Sequence, residues 1–389
     1  MVKQMDKMRI VFTGPFDPTL CDGVSGSIFD LSGFLRSRGH EVFIVSLMHD
    51  APLTRETLSR LAHHQPEIIS SDSNHCNYVA NRINIYYEVL PRSRSEILGC
   101  HPGVLKSYMN KLEYKEGYFL TVDNDCTCIL AHSILKNPTA HFIHSPVQFI
   151  RHFGTSPIFQ AMLRNRLVFI VSKFSQQELE RTLNLHALLW PPFIDSHRFR
   201  FPRTNRRGWK IGYYSAGQHK GDNIITSLAT KTPDRQFVIM GRGYQSDVRC
   251  ANVTHLGDTT DIKSFYAEIS LLLVPSVMPE GFPRVIVEAL MNGIPVIANR
   301  IGGIPEVLGP SGILIDTEPS ENKVVSKYVS AITKLLSDPD TYEEYSKKAL
   351  ERAQEYGKEL YEKSIFYSDM FLRKLNGIPD EQITQIFAK

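Results

Sequence analysis

Cysteine is scarce in this chain. Six residues (Cys21, Cys76, Cys100, Cys126, Cys128 and Cys250) are scattered over 389, with no C-x-x-C pair. That excludes a disulfide-dense secreted scaffold and points to free thiols in a reducing compartment. An excess of charge of one sign is also missing. Lys plus Arg is 44 and Asp plus Glu is 41, a formal net charge of +3. So even a balance argues against a chain that coats nucleic acid, and no nucleic-acid partner is expected. Long apolar runs are absent too: none approaches the roughly 18 residues of a membrane span. At the N-terminus, Lys3, Asp6, Lys7 and Arg9 interrupt any secretory-type apolar stretch. The expected location is cytoplasmic, with at most a peripheral membrane contact.

What is present is ample core material. Hydrophobic residues make up 42% of the chain, and its length corresponds to two or three domains at about 150 residues each. Short apolar runs alternate with amphipathic segments. Strands are predicted at Met8 to Thr13, Glu41 to Leu47, Ile83 to Val89, Tyr118 to Val122, Ala140 to Ile143 and Leu167 to Val171. Ile28, Leu31 and Leu35 share one helical face, and Gly39 stops that helix. The polar stretch 51–82 fits less well and reads as a helix plus an excursion. At 191–208, Pro191, Pro192 and Pro202 break regular structure, and Arg198, Arg200, Arg203, Arg206 and Arg207 crowd together. This segment reads as an interdomain linker whose arginines offer weak attraction to anionic lipid.

The alternation then restarts. Strands are predicted near Lys210 to Tyr214, Gln236 to Met240, Val253 to Leu256, Leu271 to Val274, Val296 to Ala298 and Ile313 to Ile315, followed by helical pattern over 319–375. Strands spaced by helices imply parallel sheets. The predicted architecture is α/β: two doubly wound Rossmann-like domains and a helical C-terminal tail. Ligands of such folds bind at the carboxyl ends of the strands, and a cleft between two facing domains is the default site.

The stretch richest in chemistry is PSVMPEGFPRVIVEALMNGIPVIA, Pro275 to Ala298. A buried strand ends at Val274, a loop carries Glu280-Gly281-Phe282, and Pro283 stands where a helix begins, a position proline favours. The free N–H groups of a helix start attract an anion such as a diphosphate. Glu280 precedes that helix, and Glu288 lies about 7–8 Å along it from Pro283 at 1.5 Å per residue. Two carboxylates flanking an anion site suit a ligand with hydroxyl-rich ends and a phosphate middle.

The pattern E-x7-E, here Glu280-Gly281-Phe282-Pro283-Arg284-Val285-Ile286-Val287-Glu288, resembles the signature of glycosyltransferase family 4, retaining enzymes of GT-B fold. Further blocks are similar and occur in the family's order: MRIVFTGPF with Asp22-Gly23-Val24, then Arg38-Gly39-His40-Glu41-Val42, Val171-Ser172-Lys173-Phe174-Ser175, Pro192-Phe193-Ile194-Asp195 with Phe199, and Gly302-Gly303-Ile304-Pro305-Glu306. The resemblance implies an acceptor-side domain at 1–195, a nucleotide-sugar-binding domain at 196–357, and a tail at 358–389 packing back on the first domain. It implies that Glu280 contacts the donor sugar and that Glu288 binds the ribose hydroxyls. Gly281, Phe282, Arg284 and Val285 are donor-binding positions between them. The plain alternative for Glu288 is a surface i,i+4 pair with Arg284.

Lys220-Gly221 resembles the family's phosphate-binding pair, and a lysine there neutralises a departing diphosphate. The family's usual arginine five residues earlier is replaced by Ser215, with Arg242 and Arg284 as candidate substitutes. Gly23 matches a glycine near the donor phosphate. Its loop, Asp22 to Gly26, holds no G-x-G-x-x-G, so a nicotinamide fingerprint is not supported. His144, after the Ala140 to Ile143 strand, matches a histidine that touches the donor sugar. His63-His64, His75-Cys76 and Cys126-x-Cys128 lack familiar ligand spacing, so no structural metal and no cofactor are expected.

The implied function is retaining transfer of a sugar from a nucleotide-diphosphate donor to an acceptor hydroxyl on a glycan, a lipid-linked glycan or a small molecule. Catalysis would fall to Lys220, Glu280 and His144. A sugar-nucleotide epimerase or phosphorylase of the same fold is a second reading. A non-catalytic sugar-nucleotide-binding protein, favoured by Ser215, is a third.

Overall fold

The computed structural model describes residues 9–14, 23–49, 67–71, 75–80, 83–90, 118–122, 139–144, 160, 163, 166–201, 209–241, 243–244, 250–257 and 262–375. The chain divides into two compact units, one of Met1–Phe193 with Tyr361–Lys389 and the other of Ile194–Leu360.

The first unit is built on a nine-stranded sheet. Its strands are β1 (Arg9–Gly14), β2 (Glu41–His49), β3 (Glu67–Ser71), β4 (His75–Ala80), β5 (Ile83–Leu90), β6 (Tyr118–Val122), β7 (Thr139–Ile143), β8 (Leu167–Ile170) and β9 (Leu188–Leu189), in the order β3-β4-β5-β2-β1-β6-β7-β8-β9. The chain starts at β1 and winds outward on both sides, the doubly wound pattern. β1 pairs in parallel with both β2 and β6, with Ile10 opposite Val42 and Tyr118. Ile10, Val11, Phe12, Val42 and Ile44 are fully buried, which is why these runs are almost uniformly apolar. Helix α1 (Gly23–Ser37) buries Ile28, Leu31 and Leu35, and Gly39 follows it in the left-handed region at φ 92°.

This sheet is not wholly parallel. β4 runs antiparallel to both β3 and β5. Where a helix plus an excursion is expected over 51–82, residues 67–71 and 75–80 form a strand pair added to the sheet edge. The helical part of that expectation lies outside the described residues. After β8 comes α2 (Lys173–Leu183), capped by Ser172, whose hydroxyl accepts from the Ser175 amide at 3.1 Å.

The second unit holds a six-stranded, all-parallel sheet. Its strands are β10 (Ile211–Tyr214), β11 (Phe237–Met240), β12 (Val253–Gly257), β13 (Leu271–Val274), β14 (Val296–Asn299) and β15 (Ile313–Ile315), in the order β12-β11-β10-β13-β14-β15. The helices are α3 (Ser196–Phe199), α4 (Asp222–Lys231), α5 (Ile262–Glu268), α6 (Arg284–Met291), α7 (Ile304–Leu308), α8 (Glu321–Ser337) and the start of α9 (Pro339–Leu375). One core layer joins Tyr213, Phe237, Leu271, Leu273 and Ile297 to Ile225 and Leu228 of α4 and to Val325, Tyr328 and Leu335 of α8. β10 and β13 are neighbours, with Ile211 opposite Leu271 and Tyr213 opposite Leu273. The chain leaves β10 toward β11 on one side and returns to β13 on the other, so a topological switch point lies between β10 and β13.

The C-terminal tail is the end of a longer helix. From Tyr361 onward, α9 belongs to the first unit, where the Tyr367 hydroxyl donates to the Leu189 carbonyl at 2.5 Å and its ring packs on Trp190.

Candidate functional site

Two chain segments leave the carboxyl ends of β10 and β13. After β10, Ser215 to Gly217 lead into a single 3-10 turn, Gln218–Lys220, and Gly221 then opens α4. Gly221 has φ 97°, and a Cβ there would lie 2.2 Å from the Pro275 carbonyl oxygen. Only glycine fits both the conformation and the close approach. This contact presses the Lys220 turn against the end of β13. Pairing continues outward, since the Val277 amide donates to the His219 carbonyl at 3.0 Å.

The result is that Lys220 and Glu280, sixty positions apart, meet: Lys220 Nζ lies 2.6 Å from Glu280 Oε2. Their side chains are 23% and 13% exposed, so the pair is only partly solvated. The other oxygen, Glu280 Oε1, accepts from the Ser276 hydroxyl. The Glu280 backbone is held as well. Its carbonyl accepts from the Gly303 amide at 2.7 Å. Gly302, at φ 59°, packs so closely that a Cβ would sit 2.6 Å from the Glu280 nitrogen and oxygen.

Ser215, where the family resemblance leads one to expect an arginine, is fully buried and has a defined place. Its hydroxyl donates to Asp222 Oδ1 at 2.8 Å, and the Tyr213 hydroxyl donates to the same oxygen at 2.5 Å. Burial, and then the hydrogen bond to Asp222, push the Tyr213 phenol far above its ordinary value, so it remains a donor. Next to the lysine, His219 is held below its ordinary value by burial and by the Lys220 charge.

Glu288 lies on α6. Its Oε2 accepts from the Tyr266 hydroxyl at 2.8 Å, and its Oε1 lies 3.4 Å from Arg284 Nε. The i,i+4 pair with Arg284 therefore exists, but it is not a surface pair. Arg284 and Glu288 are 5% and 6% exposed, and the guanidinium lies over the Phe199 ring at 5.7 Å. Two buried charges of opposite sign offset each other's desolvation, and removing either leaves the other uncompensated. Burial and the Glu288 charge keep the Tyr266 phenol protonated. Pro283 is the residue before the helix rather than its first turn residue, with φ −76° and ψ 94°; no side chain caps α6.

The structure thus brings Lys220, Glu280 and Gly281 together, and places Glu288, Arg284 and Val285 on the adjoining helix. Phe282 packs edge-on against Tyr356 at 5.9 Å. Arg242 lies outside the described residues. Arg284 is engaged by Glu288 and Phe199, which counts against it as a free phosphate cation. In the first unit, His144 is buried at the end of β7 and stacks on Phe142 at 4.6 Å. Gly23 is the exposed first residue of α1, and its carbonyl accepts from the Ser27 hydroxyl. Sequence reasoning missed Tyr266, Ser276 as a partner of Glu280, and Asn299, whose amide donates to the Ser276 carbonyl at 3.1 Å. Among the described residues, no group of three His, Cys, Asp or Glu is arranged to hold a metal ion, and no helix is long and apolar enough to cross a membrane.

Residues 222–338 match the sequence model of the family Glycosyl transferases group 1. A trehalose synthase of Rubrobacter xylanophilus is 34% identical over 105 residues, 27% of this chain and 23% of that protein. A sulfoquinovosyl transferase of Arabidopsis thaliana is 28% identical over 193 residues, 43% of this chain and 36% of that protein. The matched stretches thus span about a quarter to a third of those relatives. The crystal structure of HepE from Anabaena, in complex with UDP and glucose, superposes with a TM-score of 0.69 at 19% identity, covering 95% of this chain and 100% of that one. The fold is GT-B, with two Rossmann-like domains.

Proposed function

We propose that this chain is a glycosyltransferase that moves a hexosyl or related group from a nucleotide-diphosphate donor to an acceptor hydroxyl, with retention at the anomeric carbon. One observation carries the proposal: the Lys220–Glu280 pair at the switch point between β10 and β13, 2.6 Å apart. Such crevices are where open α/β sheets bind ligands. A cation and a carboxylate poised together match a donor whose phosphate and sugar are adjacent.

In this reading the diphosphate displaces Glu280 from Lys220. Lys220 and the uncapped start of α6 then stabilise the negative charge that grows on the leaving diphosphate. Glu280 is released to accept from the sugar hydroxyls. Glu288, fixed by Tyr266 and Arg284, accepts from the ribose hydroxyls. The acceptor oxygen attacks the face from which the diphosphate departs, and a diphosphate oxygen takes its proton. No strong general base and no metal is required. His144 on the sugar and Gly23 near the phosphate enter on the family resemblance alone, as does the assignment of acceptor recognition to 51–115. UDP is the first donor nucleotide to test, because the HepE crystals contain it.

The argument for a non-catalytic protein rested on Ser215. The buried hydrogen bonds of Ser215 and Tyr213 to Asp222 give that serine a structural place in the Lys220 turn. The deciding experiment incubates the protein with UDP-, GDP-, ADP- and dTDP-sugars, with and without cell extract. Acceptor-dependent nucleotide release supports transfer, and proton NMR of the product reads its anomeric configuration. Acceptor-independent conversion would indicate an epimerase, and the absence of both activities would overturn the proposal.

A further inference from the structure

Glu280 sits on a loop, and a loop by itself leaves a carboxylate free to swing. Here one distant segment, residues 299–303, holds both ends of the stretch from Ser276 to Glu280. Asn299 ends β14 and is 1% exposed. Its Nδ2 donates to the Ser276 carbonyl at 3.1 Å, and four residues later the Gly303 amide donates to the Glu280 carbonyl at 2.7 Å. Tyr328, fully buried on α8, donates its hydroxyl to Asn299 Oδ1 at 3.0 Å. That bond fixes which way the amide faces. With Oδ1 accepting from Tyr328, only the NH2 side is left for Ser276. Ser276 passes the constraint on, its hydroxyl donating to Glu280 Oε1. Burial keeps the Tyr328 phenol protonated, so the chain of donors holds at neutral pH.

We infer that Asn299, oriented by Tyr328, is a positioning residue for Glu280 and thereby sets how strongly the site grips the donor's sugar as opposed to its nucleotide. The inference rests on the proposed contact of Glu280 with the sugar. The relay ends on the Glu280 oxygen that Lys220 does not engage, so it acts on the sugar end. A purely structural asparagine would affect all ligands alike.

The test measures calorimetric affinities of the wild-type chain for UDP, GDP, ADP and dTDP and for their glucose, galactose, mannose and N-acetylglucosamine conjugates. If no diphosphate binds, the transferase reading fails. If diphosphates bind but no conjugate differs from its diphosphate, the sugar role of Glu280 fails and the inference with it. For the preferred conjugate, Asn299→Ala is expected to weaken binding about three- to tenfold, the range for one lost hydrogen bond. Affinity for the matching diphosphate should stay within about twofold. Tyr328→Phe, which removes one oxygen from a core ring, should shift the same ratio in the same direction and serves if Asn299→Ala folds poorly. On a Glu280→Ala background, Asn299→Ala should change neither affinity. Equal loss for diphosphate and conjugate, or no loss for either while Glu280→Ala alone weakens the conjugate, would overturn the positioning role and leave the transferase reading standing.

Discussion

Replacing Glu280 by glutamine should make the protein bind a sugar-free nucleoside diphosphate more tightly while making it a worse transferase. Lys220 is held by Glu280 at 2.6 Å, with the two side chains 23% and 13% exposed. An arriving diphosphate must take Lys220 from that carboxylate and come to rest beside a like charge. Two unit charges at 4 Å interact by about 4 kcal/mol at an effective dielectric of 20, whereas exposed pairs are worth at most about 1 kcal/mol. A pair this partly solvated falls between, at about 1–2 kcal/mol. Glutamine removes the charge and keeps an oxygen for the Ser276 hydroxyl. The gain in diphosphate affinity is then roughly five- to thirtyfold. Sugar hydroxyls lose their anionic acceptor, a bond worth about 1.5–3 kcal/mol, so turnover should fall roughly ten- to hundredfold. Calorimetry with UDP, GDP, ADP and dTDP at low and high salt reads the first effect, and nucleotide release from the preferred donor reads the second. Diphosphate affinity that is unchanged or weaker in Glu280→Gln would refute the idea that the pair competes with the ligand.

Lys220→Ala should lower turnover by roughly a hundredfold or more, because it removes a transition-state contact, and should lower unfolding stability by only about 1–2 kcal/mol, the worth of the partly solvated pair with Glu280. Glu288→Ala and Arg284→Ala should each lower unfolding stability by about 3 kcal/mol, since each strands a buried partner; the double substitution should cost less than their sum in a denaturant titration. Gly302→Ala should destabilise the second unit and weaken binding of the donor sugar, its Cβ meeting the Glu280 backbone at 2.6 Å in a left-handed conformation, as thermal melts and calorimetry would show. Activity should survive excess chelator in full, and a strict requirement for magnesium or manganese would contradict the proposed handling of the diphosphate.

The sheets were largely legible in the sequence. Tyr118 to Val122, Leu271 to Val274 and Ile313 to Ile315 are strands end to end as predicted; for Leu271 to Val274 the reason is that a strand buried on both faces leaves an unbroken apolar run. The edges were not. Leu188–Leu189 is too short to show any period, and the 67–80 strands carry polar residues with no clear alternation. At the site, Glu280 and Lys220 came from an ordered set of resembling blocks, not from any local pattern, since only the fold closes a sixty-residue gap. The pairing of Arg284 with Glu288 followed from i,i+4 spacing, but spacing carries no information on burial. It is the packing of Phe199 and Tyr266 that turns an ordinary surface pair into an interior one. Asn299 gave no signal at all, because a side chain acting through another backbone has no motif of its own.

The helix Pro339–Leu375 also bears on the order in which this protein comes into being. Its last described turns belong to the unit that begins the chain, where Ser364, Tyr367 and Met370 are buried with Trp190. A nascent first unit therefore waits for its final helix while the whole second unit is made, on the order of ten to thirty seconds at about 5–20 residues per second. During that interval Trp190 and its neighbours lack their cover, whereas the second unit has all of its own residues in one continuous run. A stop after Leu360 should accordingly spare the second unit and injure the N-terminal one, and limited proteolysis of such a truncation should leave a resistant fragment that starts near Ile194.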